Sequence, residues 1–273
     1  RILARAGDRV HSGGMARVRF LQLTDTPVVS DAGAHRRPND SLTRIVERIR
    51  DRPGLDFVIV TGDLIGDDRA ESYRVLREIL DPLPAPLRVI PGNHDVREGL
   101  RRFFGPEAGI PASTRPGADL AGSADPVYYQ FRQGGHRFLA LDSQIPGEVP
   151  GRIGPAQLAW VRRGVAEDRE VPTVAFVHHP PAPTGVDWLD EHRIGNGDEL
   201  LATLAEGSCR AVLFGHVHME VSTIAHGILC ASSPSTCYGF SDGIDGPKLR
   251  DYRPGFRVVE VDGEGIRSHV ELL

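Results

Sequence analysis

Lysine is nearly absent from this chain: Lys248 is the only one, so 31 of the 32 basic residues are arginine. A phosphate-loop or Schiff-base lysine anywhere else is thereby excluded. Cysteine is scarce as well. Cys209, Cys230 and Cys237 form no CxxC pair and leave one over, which argues against a disulfide framework and for a reducing compartment, the cytoplasm. No uncharged apolar run reaches eighteen residues, so nothing reads as membrane-spanning. An excess of positive charge is missing too, since 32 basic residues stand against 37 acidic ones, a formal charge of −5. That balance lacks the footprint of a nucleic-acid binder, and an anionic substrate would need a local attractor such as a metal ion. What remains is an ordinary globular mixture, 40% hydrophobic and 25% charged over 273 residues, enough for one large core.

Residues 1–14 contain no apolar h-region and precede Met15. They read as an upstream extension rather than a signal peptide, which leaves 15–273 as a single domain. From Val18 onward short apolar runs alternate with amphipathic segments. Strands are expected at 18–23, 57–60, 87–90, 173–177 and 211–214. A helix is expected over 39–50, where Leu42, Ile45, Val46 and Ile49 recur at helical spacing and Asn39 or Asp40 can cap it. Further helices fit 70–80, 97–104, 155–167 and 199–205. Hairpins fit around Gly134-Gly135, His226-Gly227 and Asp262-Gly263. Strand and helix alternate without a break in composition, so the fold class is α/β. The Gly-, Asp- and Pro-rich stretch 239–255 reads as a lid.

Five strand ends share a feature. Asp25 follows the first strand, Asp63 the second, and Asn93-His94-Asp95 the third. His178-His179 and His216-Val217-His218 follow two later ones. An Asp after a strand is usually a turn or a cap, and any one of these alone would be weak. Ligands collect at the carboxyl ends of strands in α/β sheets, however, and here all five ends are equipped. Gly62, Gly92 and Gly215 would let the backbones approach closely. A set of carboxylate, amide and imidazole without thiolate suits Mn, Fe or Zn. Six candidates, Asp25, Asp63, Asn93, His178, His216 and His218, exceed the needs of one tetrahedral ion and fit two.

Asp25, Gly62-Asp63, Gly92-Asn93-His94-Asp95, His178 and Gly215-His216-Val217-His218 together resemble the signature of the calcineurin-like metallophosphoesterases. The segments Leu141-Asp142-Ser143-Gln144, His178-His179-Pro180-Pro181, Trp188-Leu189-Asp190 and Ser233-Pro234-Ser235-Thr236-Cys237 resemble the class III cyclic nucleotide phosphodiesterases. The resemblance runs from about Val18 to Glu264. It implies a four-layer α/β/β/α sandwich that hydrolyses 3′,5′-cyclic AMP to 5′-AMP, with a small nucleotide as partner and neither nucleic acid nor membrane. It further implies two divalent ions, with Mn or Fe ahead of Zn. Asp63 would bridge them, Asp25 and His218 would serve one, and Asn93, His178 and His216 the other. His94, beside Asn93, would bind the substrate phosphate or protonate the leaving oxygen. The oligomeric state stays open.

One position departs from the family pattern. The first motif of that family reads Asp-x-His, and this chain has Asp25-Thr26-Pro27. Proline supplies neither a ligand nor an N–H, so the first site is one imidazole short unless His35, Asp31 or water completes it. Two alternatives stand beside this reading: another phosphodiester or monoester as substrate, such as a glycerophosphodiester, or, because of Pro27, a weakly active metal- and nucleotide-binding homologue. His11, His136, His192, His226 and His269 have no ligand spacing and read as surface or hairpin residues. Trp188 could stack on a base or pack against the sheet.

Overall fold

A computed structural model describes residues 15–31, 33, 37–110, 125–240 and 253–273. The upstream stretch 1–14, His35 and most of 239–255 lie outside the described residues. Two sheets form the centre. The first contains β1 (Val18–Leu23), β2 (Phe57–Thr61), β3 (Leu87–Ile90), β10 (Gly255–Val261) and β11 (Ile266–Leu272), in the order β11-β10-β1-β2-β3. The second contains β4 (Tyr129–Gln133), β5 (His136–Ala140), β6 (Thr173–Phe176), β7 (Cys209–Phe214), β8 (Ser222–Ala225) and β9 (Ile228–Ser232), in the order β4-β5-β6-β7-β9-β8. Within them β1, β2 and β3 run parallel to one another, as do β5, β6, β7 and β9.

Alternate residues of each parallel strand serve two different cores, which is why these strands read as unbroken apolar runs. Phe20, Phe57 and Ile59 point between the sheets, where they meet Phe138, Phe176 and Leu213. Phe20 stacks on Phe57 with centroids 4.5 Å apart, and Phe138 and Phe176 approach Phe20 edge-on. Burial of each such ring stabilises the fold by roughly 1.5–3 kcal/mol. Leu21, Leu23, Val58 and Val60 face the other way, against α1 (Arg37–Ile49), α2 (Ala70–Leu80) and α3 (Arg97–Phe104). On the far side Leu139, Ala175 and Val212 pack under α4 (Pro155–Glu167), the one-turn α5 (Asp187–Asp190) and α6 (Gly197–Ala205). The layers are therefore α/β/β/α, as expected.

Helix boundaries agree closely with the sequence pattern, apart from one cap. Asn39 lies inside α1 rather than ahead of it. Its side chain accepts from the Val29 N–H at 3.1 Å and donates to the Val29 carbonyl at 2.9 Å, tying α1 to the loop that follows β1. Among the described residues no helix is long and apolar enough to cross a membrane. Bonds between the sheets converge at one rim. Gln22 donates to the Phe214 carbonyl at 2.9 Å, and the Thr236 N–H donates to the Thr24 carbonyl at 3.1 Å. That rim carries the carboxyl ends of β1, β2, β3, β6 and β7.

Candidate metal centre

All six sequence-predicted ligands meet at this rim. His178, at the end of β6, contacts the Thr61 carbonyl through Nδ1 at 2.8 Å. A carbonyl only accepts, so Nδ1 carries the proton and Nε2 presents a lone pair. That lone pair faces Asp63 Oδ1 at 3.3 Å, Asn93 Oδ1 at 3.2 Å and His216 Nδ1 at 3.3 Å, while Asn93 Oδ1 lies 3.1 Å from His216 Nδ1. Asp63 Oδ1, Asn93 Oδ1 and the His178 lone pair are all acceptors, and a cation among them relieves their repulsion. A proton alone would reside on His178. Burial opposes its charge, but Asp63 and the Thr61 carbonyl raise its pKa to about 9. Burial and the His178 charge push His216 down to about 3. Burial also opposes the charge on Asp63, yet His178 holds that carboxyl well below the ordinary range.

A second group adjoins the first through Asp63. Asp25, Asp63 and His218 each place a ligand atom within 4.8 Å of the others, and all three are buried. His218 contacts the Tyr238 carbonyl through Nδ1 at 2.9 Å, so in the neutral ring Nε2 is the lone pair, and it points at Asp25 Oδ1 across 3.1 Å. Asp25 Oδ1 is buried without a hydrogen-bond partner. Its other oxygen accepts from Thr24 Oγ1 at 2.7 Å and the His216 N–H at 3.0 Å. An orphaned carboxylate oxygen facing an imidazole lone pair fits a divalent ion. Burial works against the Asp25 charge, but a protonated His218, through its charge and a hydrogen bond, lowers its pKa.

Pro27 lies beside this second group and supplies nothing to it. It lines a cleft of about 420 Å³ together with Asp31, Gly66, Arg69 and Tyr238. Asp31 is exposed, and its Oδ1 accepts from the Gly33 N–H at 3.3 Å. Among the described residues, those that could hold an ion here are Asp25, Asp63 and His218, and Asp63, Asn93, His178 and His216 surround the other position.

The loops converge because small residues let them. A Cβ on Gly92 would lie 2.1 Å from Asp63 Oδ1, and one on Gly215 would lie 2.0 Å from Thr24 Oγ1. The ligands themselves sit in uncommon backbone conformations, with φ of 51° at Asp25, 50° at Asp63, 70° at His216 and 54° at His218. Asp95, which follows His94, is not aimed at the ligand groups. Its carboxylate accepts from the Leu64 N–H at 3.1 Å, the Gly92 N–H at 2.8 Å and the Tyr73 hydroxyl at 3.0 Å, so it ties the second and third strand-end loops together. Ser235, from the Ser-Pro-Ser-Thr segment, donates to the Asp25 carbonyl at 2.9 Å.

His94 stands apart from the buried ligands. Its backbone N–H donates to Asp63 Oδ1 at 3.0 Å, while its ring is 65% exposed with Nε2 4.0 Å from Asp63 Oδ2. It lines a cleft of about 430 Å³ with Asn93, Val96, Gln144 and Pro146. His179 is close enough to join His178 and His216 as a ligand, but both its nitrogens are engaged, by Ser143 Oγ at 2.7 Å and the Val149 carbonyl at 2.9 Å. It is a buried strut. Two residues were not read from the sequence as belonging to the site, His192 being taken for a surface or hairpin residue. His192 lies edge-on to His216 with centroids 6.2 Å apart, and Phe240 packs on His218 at 4.6 Å. Neither has a spacing that could have signalled it. Trp188 sits on α5 and meets Phe240 edge-on at 5.6 Å, part of the core beneath the site.

A fold of two sheets whose strand ends hold two ligand groups joined by one aspartate defines a metallophosphoesterase. The chain belongs to the calcineurin-like phosphoesterase family, which it matches over residues 18–220. It is 34% identical over 255 residues to the 3′,5′-cyclic adenosine monophosphate phosphodiesterase CpdA of Pseudomonas aeruginosa, covering 92% of this chain and 88% of that protein. The protein of the same name from Escherichia coli K12 is 31% identical over 257 residues, with the same coverage. Among solved structures, GAP50, the anchor in the inner membrane complex of Plasmodium, shares the fold with a TM-score of 0.58. Identity there is 12%, over 93% of this chain and 84% of that one.

Proposed function

We propose that this chain is a cytoplasmic, metal-dependent phosphodiesterase that hydrolyses 3′,5′-cyclic AMP to 5′-AMP. The observation that carries the proposal is the pair of ligand groups sharing Asp63 beneath an exposed His94. One ion would be held by Asn93, His178 and His216 with Asp63, the other by Asp25 and His218 with Asp63, and Mn or Fe suits this oxygen and imidazole set. When bound, two such ions lower the pKa of a water nucleophile and neutralise charge on the phosphoryl oxygens. The names of the relatives point to the cyclic nucleotide.

The chain's own residues do the rest. Thr61 and Tyr238 carbonyls fix the tautomers of His178 and His218, so that each turns its Nε2 inward. Asp63 holds the His94 backbone, which fixes where that ring can reach. In the open cleft His94 is free to donate to a phosphate oxygen and to pass a proton to the departing 3′ oxygen. A cyclic phosphodiester carries a single negative charge, so the site should prefer diesters. Comparison of kcat/KM for cyclic AMP, bis(p-nitrophenyl) phosphate and p-nitrophenyl phosphate with added Mn²⁺ tests this. A preference for the monoester would overturn the proposal.

A further inference from the structure

Asn93 and His94 hang from β3 in the first sheet, yet Asn93 must meet His178 and His216 from the second. Something must fix the gap between the sheets at that point. Arg97, the first residue of α3, is buried beneath the loop. Its guanidinium grips the Asp142 carboxylate with both prongs, Nε to Oδ2 at 2.7 Å and Nη2 to Oδ1 at 3.0 Å, and Nη2 also donates to the Gln144 carbonyl at 2.8 Å. Asp142 and Gln144 follow β5 of the second sheet. Asp142 is itself held. Its carboxylate accepts from the N–H groups of Val127 at 2.7 Å and Gln144 at 2.9 Å, and Gln157 brackets its backbone N–H and carbonyl. The Gln144 side chain returns to donate to the Asp95 carbonyl. The loop is thus bonded to the second sheet at Asp95 and at Arg97, immediately beyond His94.

We infer that the Arg97–Asp142 ion pair, with Gln144, is a clamp between the sheets that positions Asn93 and His94 over the centre. These are positioning residues and touch no reacting atom. A buried ion pair is a poor source of stability, since apolar replacement of both partners is often neutral or better. A planar, two-pronged contact, by contrast, fixes distance and angle together, which a lysine cannot reproduce. The inference rests on the proposed role of His94.

Two variants of the full chain, loaded with Mn²⁺, test it: Arg97→Lys, and the double replacement Arg97→Met with Asp142→Asn, whose amide oxygen still accepts from the backbone. The measurements are melting temperature, Mn²⁺ stoichiometry, kcat and KM on bis(p-nitrophenyl) phosphate, and amide exchange over 93–96. Both variants should stay folded and bind Mn²⁺, lose on the order of 10²-fold in kcat as misplaced groups do, change KM by less than about threefold, and exchange the His94 amide faster. The double variant should remain slow even where its melting temperature matches the wild type. Wild-type kcat in either variant, or activity that recovers in step with melting temperature, would overturn the clamp. Failure of both variants to fold would overturn it too, by making the pair a folding element. If the wild type hydrolyses no phosphodiester, the functional reading falls. Faster His94 exchange in the variants would then still uphold the clamp, and unchanged exchange would sink it.

Discussion

Asp63→Asn removes one charge from the point where both ligand groups meet and leaves the shape almost unchanged. The carboxylate Oδ1 lies 3.3 Å from His178 Nε2, in the space where a cation fits. A unit positive charge at that distance gains about 5 kcal/mol at an effective dielectric of 20. Asparagine keeps an oxygen that can accept from the His94 N–H, so part of this survives. We expect a loss on the order of 10²–10³-fold in Mn²⁺ affinity, about 2.7–4 kcal/mol, at both sites together, because only Asp63 belongs to both. Calorimetric titration of the chelator-treated protein reads this directly, and hydrolysis of bis(p-nitrophenyl) phosphate should fall in parallel. The metal-free protein supplies a second reading. Burial opposes the charge of His178, but Asp63 raises its pKa from 6.5 to about 9. A group raised in the folded state stabilises fully below its unfolded value and loses that effect as pH rises through the folded one. Stability of the metal-free wild type should therefore decline between about pH 6.5 and 9, and the variant should show a flatter curve. Two Mn²⁺ bound with wild-type affinity, together with more than a tenth of the wild-type rate, would refute the shared carboxylate.

His94→Ala should keep both metal sites and lose about 10²–10⁴-fold in turnover; loss of metal along with activity would make His94 a ligand. Pro27→His should raise affinity at the Asp25–Asp63–His218 group, seen as a second, tighter step in a Mn²⁺ titration, and two tight sites already present in the wild type would show that proline is tolerated there. Burial pushes the thiols of Cys230 and Cys237 up to about 12 and about 11. At pH 8 a thiol-specific disulfide reagent should therefore label them far more slowly in the native chain than in urea, and equal rates would contradict that burial.

The strands and most helices were legible because their patterns are local. Leu42, Ile45, Val46 and Ile49 repeat at 3.6, and the parallel strands are apolar throughout because both faces are covered. The convergence of the ligand candidates was legible because each follows a strand directly, where chain order alone puts it at a sheet's carboxyl end. Roles that depend on the second sheet meeting the first were not legible. Asp142 was one letter of a recognisable segment, and nothing in its neighbours shows that it grips Arg97, 45 positions earlier. His179 has the same side chain as His178 and the same strand end, yet Ser143 and Val149 occupy both its nitrogens. Asn39 fits a cap by type and is spent instead on Val29. Each of these is settled by a partner distant in sequence, which no local pattern encodes.

The left-handed backbone at Asp25, Asp63, His216 and His218 has a consequence for laboratory evolution. Such a conformation costs an L-residue roughly 1–2 kcal/mol, whereas glycine adopts it freely. Four of them cost several kcal/mol against a total stability of about 5–15 kcal/mol for a typical domain. A library screened for thermal tolerance in the presence of chelator would enrich glycine first where the side chain does least for the metal-free fold, as at His216, and least at Asp25 and Asp63, whose carboxylates accept buried hydrogen bonds. The same screen run with divalent ion present would keep them, because binding to the folded state outweighs the strain. Thermal selection alone would thus press against residues that the proposed chemistry uses.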